Sequence, residues 1–176
     1  MSKLKREAHA LYMKPASGTL SQSYYLLGKG IDDMSVEMNG SFEQTRDVTG
    51  DVSVSDTGYS PQVSVEPYHA DPTDSIYEFL KDIAMNRKSG DDCKVKILEV
   101  LIDKTDAGSG YDAWEEDGKV EITSYGGDTS GLGINFNLWY DGNRTKGTAT
   151  IAAKVPTFTP GGTEEEREDE RIWEKS

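Results

Sequence analysis

Polar and apolar residues alternate along most of this chain with a period of two, the pattern typical of half-buried β-strands. The alternation is clearest in residues 132–140, where every second residue is apolar. In two earlier segments Val52 and Val54, and then Val63 and Val65, hold the apolar positions. Turn-forming residues separate the segments, which indicates a series of short strands. The predicted strands are residues 31–38, 51–55, 62–66, 94–102, 119–125, 132–140 and 145–155, the last two joined by a turn at Asp141-Gly142-Asn143.

One segment, residues 71–88, has the period of an α-helix. Asp71 is predicted to cap its start, with Pro72 at the first helical position. Gly90 is predicted to supply the left-handed residue that ends it. The helix carries a single apolar stripe, which predicts that it lies on a core and is not surrounded by one. The stripe consists of Ile76, Phe79, Leu80, Ile83 and Ala84.

The pattern divides the chain into an N-terminal arm at residues 1–23, a β-rich domain at residues 24–158 and an acidic C-terminal tail at residues 159–176. Residues 42–61 are polar and contain turn glycines, which predicts a long hairpin loop within the domain. Because the arm is basic and the tail is acidic, the two ends favour head-to-tail contacts between copies. We expect a mainly β fold, an antiparallel β-sandwich or open barrel with one flanking α-helix.

The composition of the chain indicates a small hydrophobic core. The chain has 176 residues, only 35% of them hydrophobic, and a net charge of -13, with a mean hydropathy of -0.66. A single domain of this kind has a thin core and gains buried surface by assembling with copies of itself. The acidic balance argues against a nucleic-acid binder, which needs a basic face. It permits a surface that DNA passes without sticking, although solubility is the simpler account of the charge.

The sequence predicts neither a disulfide framework nor a membrane segment. Cys93 is the single cysteine, so no disulfide or cysteine-rich metal site forms within one chain. No secretory signal pattern is recognisable at the start, and no apolar run approaches the ~20 residues of a membrane span. We therefore expect synthesis and assembly in a reducing cytoplasm.

No motif in the chain carries a reaction. Gly28-Lys29-Gly30 lacks the spacing of a phosphate-binding loop. Asp103, Asp106 and Asp112 occupy one polar loop, but their spacing departs from that of a calcium-binding EF-hand. No serine or cysteine lies in a nucleophile elbow. We expect a protein that is not an enzyme, with no catalytic residue, no cofactor and no metal site.

Several longer sequence segments cover predicted strands and the turns beside them, and their order resembles that of a known family. The chain is similar over residues 23–158 to the major tail protein, or tail tube protein, of long-tailed bacteriophages and prophages of Gram-positive hosts. The segments are GYSPQVSVEPY at 58–68, SGDDC at 89–93, GSGY at 108–111, VEITSYGGDT at 120–129 and YDGNRTKG at 140–147.

The resemblance implies a β-sandwich flanked by a helix, whose copies form hexameric rings that stack into a hollow tube. It implies that the long hairpin and the terminal arms contact the neighbouring ring, and that DNA passes through the lumen without specific binding. The implied partners are other copies of the chain, a tape-measure protein, and tail-tip and tail-terminator proteins. The implied location is the virion tail, after assembly in the host bacterial cytoplasm. The residues that it places between subunits are Glu43, Arg46, Asp47, Val48, Asp51 and Tyr59.

Three other interpretations stay open at this point. The chain could be the tube subunit of a contractile tail or of a phage-like bacteriocin, which shares the fold. It could be a β-sandwich module that binds carbohydrate or a surface partner, or a hydrolase that uses the carboxylates of Asp103, Asp106 and Asp112. The aromatic platform of the binding module would consist of Tyr111, Trp114, Trp139 and Tyr140.

Overall fold

The computed structural model describes residues 3–103 and 110–161. The predictions for Asp106 and for the acidic tail beyond Gly161 lie outside these residues. Two short 3-10 turns, Arg6–Ala8 and Gly90–Cys93, precede strands. The strands are β1 (His9–Pro15), β2 (Tyr25–Leu26), β3 (Val36–Glu37), β4 (Phe42–Arg46), β5 (Val52–Asp56), β6 (Gln62–His69), β7 (Lys94–Leu101), β8 (Tyr111–Asp128), β9 (Gly131–Ala152) and β10 (Val155–Pro160), and the helix is α1 (Tyr77–Asn86).

The predicted fold class is confirmed. Strand β1 pairs antiparallel with β2 and β7, β6 pairs antiparallel with β3 and β9, and β10 pairs antiparallel with β9. The described residues are mainly β with one α-helix, which is consistent with a β-sandwich and a flanking helix. No helix among them is both long and apolar enough to cross a membrane.

The chain forms two compact units. The first draws on Met1–Lys29, Ser89–Gly118 and Asp141–Ser176, and the second on Gly30–Lys88 and Lys119–Tyr140. Strands β8 and β9 therefore each contribute residues to both units. The strand order is β2-β1-β7-β8-β9-β10 in the first unit and β8-β9-β6-β3 in the second.

In the first unit, β1 is a fully integrated strand. It pairs with β7 along all seven residues, from His9 opposite Leu101 to Pro15 opposite Val95, and five of its seven residues are buried. The prediction of an N-terminal arm is therefore wrong for His9–Pro15. One face of this sheet carries an apolar cluster of Ala10, Tyr12, Tyr24, Leu98, Val100, Ala113 and Ala149.

The first unit also buries two carboxylates, which share one arginine. Glu99 and Glu116 are only 9% and 6% exposed. The guanidinium of Arg144 donates to Oε2 of Glu99 at 2.9 Å and to Oε1 of Glu116 at 3.5 Å. The same group lies 5.8 Å from the centre of the Trp114 ring. Because buried charges need compensation, this arrangement makes Arg144 a structural residue.

The second unit contains the predicted helix, with shifted ends. The helix begins at Tyr77, and its first residues have no side-chain cap. Asp71 instead closes a turn, since its carboxylate accepts from the amide of Thr73 at 2.8 Å. Arg87, with φ of 51°, is the left-handed residue at the end, so Gly90 does not have the predicted role. Of the predicted stripe, Ile76, Leu80, Ile83 and Ala84 are buried.

The core of the second unit follows the alternation of β6 and β9. Val63, Val65, Ile134, Phe136 and Leu138 are all at most 1% exposed. They meet across the strand pair, for example Val65 opposite Phe136. Tyr68 is also buried, and its hydroxyl donates to Asp74 at 2.9 Å. Burial and this hydrogen bond raise the pKa of Tyr68, so the phenol stays neutral at physiological pH.

The predicted turn at Asp141-Gly142-Asn143 is wrong. Strand β9 continues through these residues to Ala152. Gly142 and Asn143 have φ angles of 99° and 59°, which mark a local irregularity in the strand and explain the turn-like sequence. The chain reverses at Ala153-Lys154, where both φ angles are positive, as a two-residue hairpin turn requires.

Candidate functional site

The hairpin of β4 and β5 is the most exposed ordered element in the described residues. All ten strand residues are exposed, and the two strands pair only with each other. The hairpin extends the ribbon that β3 and β6 begin. Backbone hydrogen bonds continue from that ribbon, from Ser60 to Met38 at 3.0 Å and from Ser41 to Gly58 at 3.1 Å. The structure thus has a β-hairpin at residues 42–56, within the loop predicted at residues 42–61.

The two faces of the hairpin differ in chemistry. Residues that pair across an antiparallel ladder share a face, and successive residues alternate between faces. One face, called here the apolar face, carries the pairs Phe42 and Asp56, Gln44 and Val54, and Arg46 and Val52. Phe42, Val52 and Val54 are 54%, 46% and 62% exposed. A solvent-exposed apolar face on a projection is typical of an interaction surface.

The opposite face of the hairpin is polar. It carries Glu43 opposite Ser55 and Thr45 opposite Ser53. The hydroxyls of Thr45 and Ser53 lie 2.8 Å apart and hydrogen-bond to each other. This face needs no partner, so the apolar face is the side on which burial would contribute most.

Hydrogen bonds within the tip hold it in shape. The carboxylate of Asp47 accepts from the amides of Thr49 and Asp51 at 2.8 and 3.1 Å and from the hydroxyl of Thr49 at 2.5 Å. The bond from the Thr49 hydroxyl, the largest contribution, holds the pKa of Asp47 below its usual range. Val48 projects from this turn fully exposed.

Two aromatic rings support the base of the hairpin. The Phe42 and Tyr59 rings lie 5.7 Å apart between centroids and are tilted by 57°. Gly40 lies against both, because a Cβ there would come within 2.9 Å of Phe42 and 3.2 Å of Tyr59. A larger residue at position 40 would push these rings apart.

The structure brings the six predicted contact residues together on this one hairpin. Their role between subunits remains a prediction. Asp47, Val48 and Asp51 form the tip, Tyr59 lies at the base, Arg46 ends the apolar face, and Glu43 lies on the polar face.

Sequence reasoning missed the three apolar residues of the hairpin. It grouped Val52 and Val54 with Val63 and Val65, but only the latter two are in the core. Phe42 lies at the edge of the predicted loop, where no alternation marks it. The residues that pair with Val54 and Val52 are Gln44 and Arg46. Polar residues at these positions indicate that the two valines are not buried between strands.

In contrast to the hairpin, the outer edge of β10 is closed to strand pairing. In a two-residue hairpin the flanking pair, Ala152 and Val155, is hydrogen-bonded, so alternate residues from Val155 onward bond inward to β9. The bond from Gly161 to Lys146 at 2.9 Å has the same phase. The outward positions are therefore Pro156, Phe158 and Pro160, and proline has no amide proton. One donor remains on this edge, at Phe158.

We expect the variant Pro160→Thr to associate through this edge, because Pro160 is exposed whereas Pro156 is buried. The change restores one outward amide on a strand edge, the kind of surface that native proteins block with proline. Static light scattering of the purified variant measures the effect. Thr159→Ser, which leaves the edge unchanged, is the control, and an unchanged scattering signal would show that Pro160 has no protective role. Circular dichroism checks that the variant folds.

The remaining outer strands of the described sheet are short. Strands β2 and β3 each span two residues, which limits their use as templates for strand addition. By contrast, β4 and β5 offer five-residue outer edges without proline. Exposed apolar side chains and open edges thus coincide at the hairpin.

The structure does not assemble the aromatic platform considered for a carbohydrate module. Tyr111 and Trp114 are three residues apart on β8, and Trp139 and Tyr140 are adjacent on β9, so the members of each pair point to opposite faces. Tyr111 packs against the apolar cluster, and the Trp139 indole donates to Glu121 at 2.7 Å.

Within residues 3–103 and 110–161, no three His, Cys, Asp or Glu side chains lie close enough to hold a metal ion. Asp103 and Asp112 fall within these ranges, whereas Asp106 falls outside them. A cavity of about 440 Å³ lies in the second unit, lined mainly by glycine and serine residues of β8, β9 and the turn between them, with Pro67 and His69.

No protein-family model matches the chain, and no curated protein matches it. Among solved structures it is similar to the PVC sheath/tube terminator of an extracellular contractile injection system in the extended state. That match has 13% identity and a TM-score of 0.47, and it covers 83% of this chain and 97% of the other. A second match is the tube terminating cap of the anti-feeding prophage, with 15% identity, a TM-score of 0.47, and coverage of 85% and 93%. Similarities of this size carry no argument about function.

Proposed function

We propose that this chain is a structural protein of a bacteriophage tail or tail-like particle, and that it is the tube subunit. Copies of the chain assemble into hexameric rings, and the rings stack into a hollow conduit for DNA in a contractile or non-contractile tail. The observation that carries the proposal is the hairpin, an ordered projection with an exposed apolar face. A two-stranded hairpin alone in water is only marginally stable, so a neighbouring copy that covers it would stabilise both.

Three further features support the proposal. The sequence segments at 58–68, 89–93, 120–129 and 140–147 resemble those of tail tube proteins. The outer strands of the sheet are short or blocked by proline, which directs association to the hairpin. The net charge of -13 disfavours adhesion to DNA, as a conduit requires.

The partners follow from the same proposal. Other copies are the main partner, and a tape-measure protein, a tail-tip complex and a tail terminator would control the length and the ends of the tube. Assembly would take place in the bacterial cytoplasm, and the product would be part of the virion tail.

Sedimentation velocity of the full chain over a range of concentrations tests self-assembly. We expect a monomer at low concentration and large, fast-sedimenting species above a threshold, because tube growth is cooperative. A monomer at every concentration would contradict the proposal.

A further inference from the structure

We infer that the apolar face of the hairpin docks on the basic N-terminal segment of a second copy, residues 3–6. The inference rests on the proposed function, because it names the surface that the hairpin contacts within an assembly of copies. It specifies a heterologous contact, in which two different surfaces of the same chain meet.

The hairpin defines what its partner must offer. Residues 42–56 carry four acidic side chains and one basic side chain, Arg46. Asp56 lies on the apolar face opposite Phe42, and the Asp47 and Asp51 carboxylates lie at the tip. Arg46 lies on the same face at its tip end, and Glu43 lies on the polar face. A complementary surface is therefore basic where it meets Asp56 and offers an exposed apolar residue beside Phe42.

The segment at residues 3–6 has this composition. Three of its four residues, Lys3, Lys5 and Arg6, are basic, and nowhere else in the chain do three basic residues fall within four. All four are exposed, and Leu4, the apolar residue among them, is 59% exposed. Lys5 forms an ion pair with Glu7 at 3.6 Å, but both side chains are about 80% exposed. Such a pair contributes little, so the Lys5 charge can serve a stronger contact.

A second copy is the occupant that these charges favour. Two chains of net charge -13 repel each other overall, so a productive contact needs opposite local charges, which also set its orientation. A contact between two different surfaces repeats from copy to copy and generates rings or filaments. The basic segment and the acidic apolar hairpin supply both requirements in one sequence.

A charge-reversal cycle tests the inference. We expect Asp56→Lys and Lys5→Glu each to lower the association constant of the full chain about fivefold or more, since each turns an attraction into a repulsion. The chain that carries both changes should recover association, because the pair is restored with reversed signs. Glu43→Lys is the matched control: it makes the same charge change on the polar face, one residue along from Phe42. Sedimentation velocity measures each association constant, and circular dichroism checks that each variant folds.

The outcomes separate this inference from the proposed function. Coupling between Asp56→Lys and Lys5→Glu, with a small effect of Glu43→Lys, supports the contact. If the wild type assembles but the double variant shows no recovery, the N-terminal segment is not the partner and only this inference fails. The same holds if Glu43→Lys weakens association as much as Asp56→Lys. If the wild type remains monomeric throughout, both proposals fail.

Discussion

The double variant Phe42→Ser/Val54→Asp is expected to keep the wild-type core and to lose the ability to form tubes. In the single chain both side chains are more than half exposed, so the core depends little on them. The contact of Phe42 with Tyr59 is local to the base of the hairpin. In an assembly they would be buried, and full burial of such a side chain is worth about 1.5–3 kcal/mol. The variant loses about half of this burial free energy at each of the two positions and places a charge in the contact. We therefore expect the threshold concentration for assembly to rise by about 100-fold or more.

A variant of the other face provides the control. Thr45→Ser/Ser53→Asp also places an aspartate on the hairpin, at a position next to Val54 but on the polar face. We expect this variant to assemble close to the wild-type threshold. Thermal melts compare the stability of both variants, and sedimentation compares their assembly. Equal loss in the two variants, or normal tubes from Phe42→Ser/Val54→Asp, would remove the apolar face from the contact.

The second large effect is on stability and concerns Arg144. We expect Arg144→Met to lower the free energy of unfolding by about 2 kcal/mol, below the 3–5 kcal/mol of a fully buried pair because Arg144 is partly exposed. Its side chain is 40% exposed, whereas those of Glu99 and Glu116 are 12% and 8% exposed. Removing the guanidinium leaves both carboxylates buried without their shared donor. Urea unfolding of the purified monomer measures the change.

Two companion variants separate the charge from the packing of Arg144 against Trp114. In Arg144→Met/Glu99→Gln/Glu116→Gln the buried charges are gone, and we expect much of the lost stability to return. Arg144→Lys keeps one charge but lacks the fork that reaches both carboxylates, so it should be intermediate. A loss below about 0.5 kcal/mol in Arg144→Met, within the range of ordinary surface changes, would show that water compensates the two glutamates.

Much of the fold followed from periodicity, because burial imposes it. The alternation at residues 132–140 and the stripe from Ile76 to Ala84 both mark residues that are in the core of the second unit. The ends of the helix were harder to predict from the sequence. Asp71 uses its carboxylate in a separate turn, and Arg87 takes the left-handed position in place of a glycine. Local sequence preferences permit either arrangement, and tertiary packing decides between them.

The errors in the strands have a similar origin. Asp141-Gly142-Asn143 has the composition of a turn, but β9, which pairs with β8, continues through it. The Asn143 side chain donates to Asp117 of β8 at 2.9 Å. Strand β1 was placed in an arm because its pattern, buried at five of seven positions, lacks a clear alternation. A strand that is buried on both faces gives no periodic signal.

The candidate site was located from the sequence only in part. The hairpin was predicted, because glycine and polar residues mark such loops, whereas its charged residues were named from the family resemblance. The apolar face of the hairpin was not predicted. An exposed valine and a core valine occupy the same position in an alternating pattern, as Val54 and Val65 show. Whether such a valine is exposed or buried depends on which strand pairs with its own strand, and the local sequence does not contain that information.

Negative-stain electron microscopy of the concentrated chain distinguishes a tube subunit from a protein that stays monomeric. We expect six-fold rings and hollow tubes of uniform diameter above the assembly threshold. Discrete particles of monomer size at every concentration up to the solubility limit would contradict it.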